Sequence, residues 1–531
     1  MGGCCVKMPK KTDAIIMIVV AALVVMGALW FKWGPGSGRG SSASVDMPDP
    51  ATASIDDYNG KRAGVMTGAW HDAVVSARLP EAKIYNFDSY TDLIQALKSN
   101  KIDFFVVTKE SVAGMVKDNP ELTTLKDPIS AMEYGAVFAK TDRGAQLKAQ
   151  MDEFIKKIQG DGTLEQLNTY WTSDPAAEST PIDMSDLTGS NGALSFATTG
   201  TKMPISFMVG SEIAGIDPDI AVRFCREYGY DINVSTATFS GIIPGITTGA
   251  YDFALSDIAI TEERKESVLF SEPYRTADIM VMVRNEGAAQ PQEKPSVFQS
   301  IAASFEKNFL REDRWKLIVQ GAATTCLITV CSVIIGTLLG YGICQLRRAD
   351  SRLAKPLCDL HVQLQQGAPI VVVLMIMYYV VFGNANIDAV IVAIIAFTLN
   401  FSAYASEIMR SAIDAVPPGQ REAALALGYS EGQAFHRFIF PQAAVSFLPV
   451  LLGQMIGLLK NTSIVGYIAI QDLTKMSDII RSRTYEAFFP LIVTALIYFL
   501  LAKIVRVVME RLLVRVDPRA KKKGAKEAKA Q

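Results

Sequence analysis

Residues 422–443 read EAALALGYSEGQAFHRFIFPQA, a stretch too polar to cross a bilayer and too helix-prone to be an idle loop. An alanine-rich amphipathic run ends at Gly428, a shorter run carries His436 and Arg437, and Pro441-Gln442 leads back into apolar sequence. Such a segment is expected to dock on a partner, and its flanks decide on which side of a membrane. Apolar runs lie at 317–345, 368–383, 387–404, 443–460 and 487–502, each near the length that crosses about 30 Å of hydrocarbon. Basic side chains follow the first (Arg347, Arg348, Arg352, Lys355), the third (Arg410, Arg421, Arg437) and the fifth (Arg506, Arg511, Arg515, Arg519, Lys521 to Lys523). Positive loops lie in the cytoplasm. Five crossings therefore put 422–443 and the carboxy-terminal tail inside, and residues 45–300 outside.

The rest of the composition bounds the answer. The 531 residues are 50% hydrophobic with 52 basic against 54 acidic side chains, so several domains are expected and bulk charge points to no nucleic-acid partner. Residues 14–31 carry no charge and follow Lys7, Lys10 and Lys11. They read as a membrane anchor with its amino end in the cytoplasm; a cleaved signal peptide opens similarly, but no convincing small-x-small site follows the run. GPGSGRGSSASVDMPDP, residues 34–50, is flexible linker. Seven scattered cysteines and three histidines form no CxxC pair or His cluster, so no metal and no cofactor is expected. Cys225 is alone in the exported part, and Cys4-Cys5 lack the Ser/Thr at position 6 that a lipidation pattern wants. No GxxxxGK[ST] occurs, so the chain is no enzyme by a P-loop of its own and must borrow an ATPase.

Residues 403–473, AYASEIMRSAIDAVPPGQREAALALGYSEGQAFHRFIFPQAAVSFLPVLLGQMIGLLKNTSIVGYIAIQDL, resemble the permease subunit of polar amino-acid ABC importers, the histidine/glutamine permease family. The resemblance covers roughly 300–515. It extends to LQQGAPIVVVLMIMYY, with Gln366 where the family's Arg is usual. It implies that 406–440 is the coupling loop seated in a groove of a cytoplasmic ATPase subunit. Ala423 and Ala424 would permit close approach, Glu422 would pair with a basic groove residue, and Gly428 would supply the positive φ that ends one helix and aims the next. Phe438-Ile439-Phe440-Pro441 is a bulkier form of the family's Ile-x-Leu-Pro. One such permease makes half a pathway, so a homodimer or heterodimer in the lipid of a bacterial inner membrane is implied.

Residues 193–284 alternate short β-like runs with helical ones. Their SDIAITEERKESVLFSEPY is similar to the Gly-Met-Thr-Ile-Thr-x-Glu-Arg…Phe-Ser-x-Pro-Tyr signature in the first half (lobe one) of periplasmic amino-acid-binding proteins. YNGKRAGVMTG, YTDLIQALKSNKIDFFVVTK and YGAVFAKTD…IKKIQGDGTLEQLNTYW, within 55–171, resemble the second half, which builds lobe two and returns to lobe one. The halves stand in reversed order. The expected architecture is therefore multidomain: an α/β bilobed periplasmic-binding-protein-like domain (type II, circularly permuted) and an all-α polytopic membrane domain. Its expected segments are a cytoplasmic 1–13, the anchor 14–31, a linker 32–54, the second half 55–171, a linker 172–192, the first half 193–286, a linker 287–315, the permease 316–510 and a basic tail 511–531. Joining surface termini in this way is well tolerated.

The resemblance also names a ligand site for a small polar solute. Arg264 falls where the family's arginine grips an α-carboxylate, Thr67 and Gly68 at the lobe-two turn, and Phe239 at an aromatic wall. Lys109 replaces the acid that normally receives the α-ammonium, and Lys202 takes a family aromatic position. That substitution disfavours a neutral zwitterion by about 3 to 5 kcal/mol, in favour of a carboxylated or anionic solute, unless Asp257, or Glu110 one residue on, supplies the acid. The expected function is the binding and permease subunit of an ATP-driven importer for amino acids or related anions. The alternatives are a ligand sensor or a ligand-gated channel, the latter without a Thr-Val-Gly-Tyr-Gly-like filter.

Overall fold

Fourteen strands and eighteen helices matter for placing the site. The computed structural model describes residues 49–285, 297–349, 352–383, 387–486 and 488–516. The expected anchor at 14–31, most of the linker 32–54, residues 286–296 and the tail beyond 516 lie outside the described residues. Residues up to Ala53 form a unit of their own, and Ser54–Gln531 form the second.

The first binding segment supplies β1 (Arg62–Met66), β2 (Lys83–Phe87), β3 (Phe104–Thr108), β4 (Leu122–Thr124), β5 (Ser130–Tyr134) and β6 (Val137–Ala139), with α1 (His71–Arg78), α2 (Tyr90–Lys98), α3 (Lys109–Asp118), α4 (Asp142–Gly160) and α5 (Thr163–Ser173). The second supplies β7 (Ala193–Thr198), β8 (Thr201–Lys202), β9 (Ser206–Val209), β10 (Glu212–Ala214), β11 (Asp231–Thr236), β12 (Phe253–Ala254), β13 (Val268–Phe270) and β14 (Arg275–Arg284), with α6 (Ile216–Glu227), α7 (Phe239–Thr247) and α8 (Glu262–Ser267). Phe-Phe-Val-Val-Thr of β3 is buried along its whole length, as an internal strand covered on both faces requires.

Three sheets result: a small antiparallel one, β10-β9-β8, and one main sheet in each lobe, both main sheets in the order second, first, third, visitor, fourth. Lobe two runs β2-β1-β3-β14-β4, with β5 also on β14, and lobe one runs β11-β7-β12-β6-β13. The neighbours β1/β2, β1/β3, β7/β11 and β7/β12 are parallel, while the visitors β14 and β6 pair antiparallel. Each visitor comes from the other segment: β6 inserts Val137 and Phe138 between β12 and β13, and β14 sets Ile279 to Met282 against Thr108 to Phe105. Neither segment owns the complete main sheet of a lobe.

The helical region follows with α9 (Val297–Phe305), α10 (Trp315–Arg348), α11 (Ala354–Gly367), α12 (Ile370–Ile376), α13 (Ala389–Asp414), α14 (Pro418–Ala426), α15 (Glu431–Ala434), α16 (Phe440–Asn461), α17 (Leu473–Thr484) and α18 (Phe488–Val516). Among the described residues four helices are long and apolar enough to span a membrane, at Trp315–Arg348, Ala389–Asp414, Glu431–Ile468 and Phe488–Arg511. The expected crossing at 368–383 is instead one arm of a pair, Ala354–Gly367 with Ile370–Val381, bent by 111°. Pro369 is the cause: it lacks an N–H to donate and holds Ala368 extended at φ −100°, ψ 138°. Among the described residues the chain thus has four candidate spans, or five if the bent pair counts as one.

Small side chains bring α10 and α13 together. A Cβ added at Gly340 would lie 2.7 Å from Ala405 Cβ and 2.8 Å from Ser402 O, a close crossing that only a glycine permits. Arg347, nearly buried, then pairs with Asp359 and Glu407 at 2.6 Å each, tying α10 to α11 and α13.

The expected linkers 172–192 and 287–315 are packed where they are described. Ile182 N–H donates to Ile213 O at 3.1 Å along lobe one. Asn308, fully buried, donates to Glu486 (2.7 Å) and accepts from Thr484 (2.8 Å), so the end of the 287–315 segment is part of the helical body rather than free chain.

Candidate functional site

The lobes close on each other and on α17. Between them lies a cavity of about 360 Å³, walled by Trp70, His71 and Tyr90 of lobe two, by Lys202, Phe239 and Asp257 of lobe one, and by Lys475, Asp478 and Arg481 of α17. The connection of α17 to lobe two is direct: Thr91 Oγ1 donates to Arg481 O at 3.1 Å, and the Arg481 guanidinium holds both Asp92 and Asp478. On the lobe-one side, Gln471 Nε2 donates to Thr236 Oγ1 at 3.3 Å.

Arg264 acts across the cleft rather than into the cavity. It sits in α8 behind an N-cap in which Thr261 Oγ1 accepts from its own N–H at 3.3 Å. Its guanidinium donates to Ala259 O (3.0 Å) and to Gly68 O of the opposite lobe (2.9 Å), and lies 5.6 Å over the Phe239 ring. Gly68 takes φ +75°, and a Cβ there would lie 3.3 Å from Ser240 Cβ. The turn is therefore both left-handed and pressed against lobe one, two reasons for glycine. Thr67 lines the cavity, but its hydroxyl is spent on Phe87 O at 3.1 Å.

Lys202, at the position that is aromatic in the family, and Asp257, the candidate acid, meet in a single interaction. Asp257 takes a left-handed φ of 56° and places its carboxylate between Lys202 and Arg275. All three are buried, and pairing is what makes such burial tolerable. Lys202 also lies 5.2 Å over the Tyr90 ring, and Arg275 lies 4.7 Å over Tyr134. The Asp257 N–H donates to Asp217 Oδ2 at 2.7 Å, and Tyr274 OH donates to Oδ1 at 2.9 Å. Burial pushes Asp217 up to about 6.

Lys109 is corrected. It starts α3 at the surface, pairs with Asp278 at 3.3 Å and does not line the cavity. One residue on, Glu110 turns inward to within 3.2 Å of Arg275. Adjacent helical residues point about 100° apart, so a shift of one position exchanges a surface pair with Asp278 for one with the buried Arg275.

Several lining residues escaped the sequence reading. His71 is 4% exposed with Nδ1 unpartnered among the described residues, and burial, with Lys202 and Arg264 nearby, pulls its pKa to about 3, so it is neutral. The α17 residues were missed because TKMSDIIRSRT is polar on average. The available signal was Leu473, Met476 and Ile480 at helical spacing, all buried.

The cytoplasm-predicted loop folds as a helical hairpin. Gly428 takes φ +84° with open space where a Cβ would stand. Its N–H donates to Leu425 O, and Tyr429 N–H to Ala424 O, closing α14. Ala424 packs inward, while Glu422, Ala423 and Pro441 are exposed and Leu427 stands 76% exposed. Arg421 pairs with Glu431, a Ser430/Gln433 capping box starts α15, and Gln442 Nε2 donates to Phe438 O and Gln420 Oε1. The hairpin is thus braced from within. Among the described residues no group of three or more His, Cys, Asp or Glu is placed to hold a metal ion.

Comparison with known proteins matches both regions. The family of bacterial extracellular solute-binding proteins, family 3, matches residues 194–428, starting in β7 and running past β14 into the helices. The arginine transport system permease protein ArtQ of Bacillus subtilis (strain 168) is 35% identical over 192 residues, 35% of this chain and 86% of that protein. The putative glutamine transport system permease protein GlnP of Rickettsia bellii (strain RML369-C) is 30% identical over 203 residues, 37% of this chain and 93% of that protein. A crystal structure of an amino acid ABC transporter with histidines aligns at 32% identity with 42% of this chain and 100% of that chain, at a TM-score of 0.37.

Proposed function

This chain belongs to the amino-acid ABC transporter permease family, and we propose that its bilobed domain captures an α-amino acid outside the cytoplasm and delivers it to the permease helices of the same polypeptide. At the coarser level it is the binding domain and permease subunit of an amino-acid ABC transporter, a non-catalytic component that implies ATPase partners. The observation that carries the finer reading is the shared cavity, whose walls come from both lobes and from the permease helix α17.

Charge favours a zwitterion over an anion. Asp88, Asp92, Asp257 and Asp478 line this cavity against Lys202, Lys475 and Arg481, while Lys109, on which the anionic expectation rested, pairs with Asp278 at the surface. A site lined by both signs of charge suits one ammonium and one carboxylate better than two carboxylates. The names of the relatives, arginine and glutamine systems, share only that zwitterionic core.

In this reading the binding domain is a circular permutant: the main sheet of each lobe carries one visiting strand, and the chain passes from β14 to the helices instead of into β1. The 406–440 hairpin is the ATPase dock, and two permease copies complete the pathway. The test is thermal unfolding of the full chain in lipid nanodiscs with each of the twenty L-amino acids and with succinate. At a hundredfold excess over Kd a ligand adds about 2.7 kcal/mol, so at least one amino acid is expected to raise the Tm by degrees. A rise with succinate and with none of the amino acids overturns the solute class.

A further inference from the structure

We infer that Lys475, on the permease helix α17, is a carboxylate-binding residue of the cavity, so that the solute site is completed by the permease rather than by the two lobes alone. The inference deepens the proposed function and rests on its reading of the cavity as the solute site. Lys475 is 7% exposed and lines the cavity. Among the described residues its ammonium has no hydrogen bond and no ion pair, whereas the other lysine of the cavity, Lys202, is paired with Asp257.

The acids nearest to Lys475 along α17 are engaged elsewhere. Asp472 caps the helix by accepting the N–H groups of Thr474 (3.1 Å) and Lys475 (2.9 Å), and takes a third bond from Tyr498 OH (3.2 Å). Asp478 accepts from Arg481 at 2.9 Å, and Arg481 in turn holds Asp92. Burial draws the Lys475 pKa below the ordinary lysine value, because desolvation penalises the charged form. A carboxylate entering the cavity supplies that partner, and none of the existing pairs has to break.

The residue is also rigidly placed on the permease. A Cβ at Gly321 of α10 would lie 2.8 Å from Asp472 O and 2.9 Å from Leu473 Cα, so α17 is pressed onto α10. Leu473 N–H donates to Thr325 Oγ1 at 3.2 Å, and Thr474 hydrogen-bonds Tyr498 of α18 at 3.0 Å. Lys475 is therefore carried by a helix anchored on the membrane helices, which also bonds lobe two through Thr91 and Asp92.

The experiment titrates the full chain in nanodiscs, wild type and Lys475→Met, with the twenty L-amino acids, the α-amides of those that bind, acetate and succinate. Methionine keeps the length of the side chain and removes its charge. The expected result is an amino acid whose affinity falls at least tenfold in the variant, while its α-amide binds both proteins within twofold. In case the variant fails to fold, a wild-type measurement stands beside it: acylation of Lys475 by an amine-reactive ester, read by peptide mass spectrometry, is slowed by the amino acid and not by its amide. Lys475-dependent binding of succinate or acetate alone supports the subsite and refutes the amino-acid reading. Amino-acid binding that is equal in both proteins, equal losses for acid and amide, or acylation unchanged by every carboxylate overturns the inference.

Discussion

Expressed apart, residues 55–171 and 193–285 are expected to stay unfolded, whereas the same pieces produced by cutting the 172–192 segment of the folded chain remain together. The reason is the exchange of strands. Without β14, lobe two loses the strand between β3 and β4, and with it the buried Ile279, Val281, Met282 and Val283. At about 1.5 to 3 kcal/mol for each buried side chain, that removes roughly 6 to 12 kcal/mol, comparable to the whole stability of a domain. Without β6, lobe one loses Val137 and Phe138, both fully buried, and leaves the facing edges of β12 and β13 unpaired. Circular dichroism and thermal melts decide the matter. A cooperative transition from either piece alone would refute the permuted clamshell.

The second large effect is expected at the cytoplasm-predicted hairpin. Gly428→Pro demands a φ near −65° where the chain has +84°, and removes the N–H that bonds Leu425 O. The turn that aims α15 from α14 is then lost, while the long spans are untouched. Ligand-stimulated ATPase activity of the assembled transporter should fall more than tenfold, with membrane insertion retained. Glu422→Lys, at an exposed position, should act in the same direction by reversing the charge offered to the ATPase groove. Unchanged coupling in both variants would mean that the hairpin packs only on its own bundle.

What the sequence revealed, and what it hid, follows from the range of the interactions involved. Long apolar runs and the alternation of short strands with helices are local signals, so the spans and the bilobed α/β class were legible. The bend at Ala368-Pro369 was legible too, since proline speaks for itself, but the apolar count over 368–383 overrode it. The site was less accessible because it depends on phase and pairing. Lys109 and Glu110 differ by one residue and face opposite ways. Lys202, a departure from the family pattern, and Asp257, a candidate acid, lie 55 residues apart, and only the fold joins them into one ion pair. Helix α17 was invisible as a wall because its partner surfaces lie some 390 residues away, as in the Thr91 to Arg481 contact.

The most direct measurement is uptake. Proteoliposomes containing the full chain and its cognate ATPase, loaded with ATP, are offered the radiolabelled L-amino acid that raises the Tm. The account predicts accumulation that requires ATP, is lost when the ATPase subunit is left out, and needs no separate soluble binding protein because that domain is fused to the permease. Binding without accumulation, or accumulation that ignores ATP and simply equilibrates across the bilayer, would make the chain a sensor or a channel and contradict it.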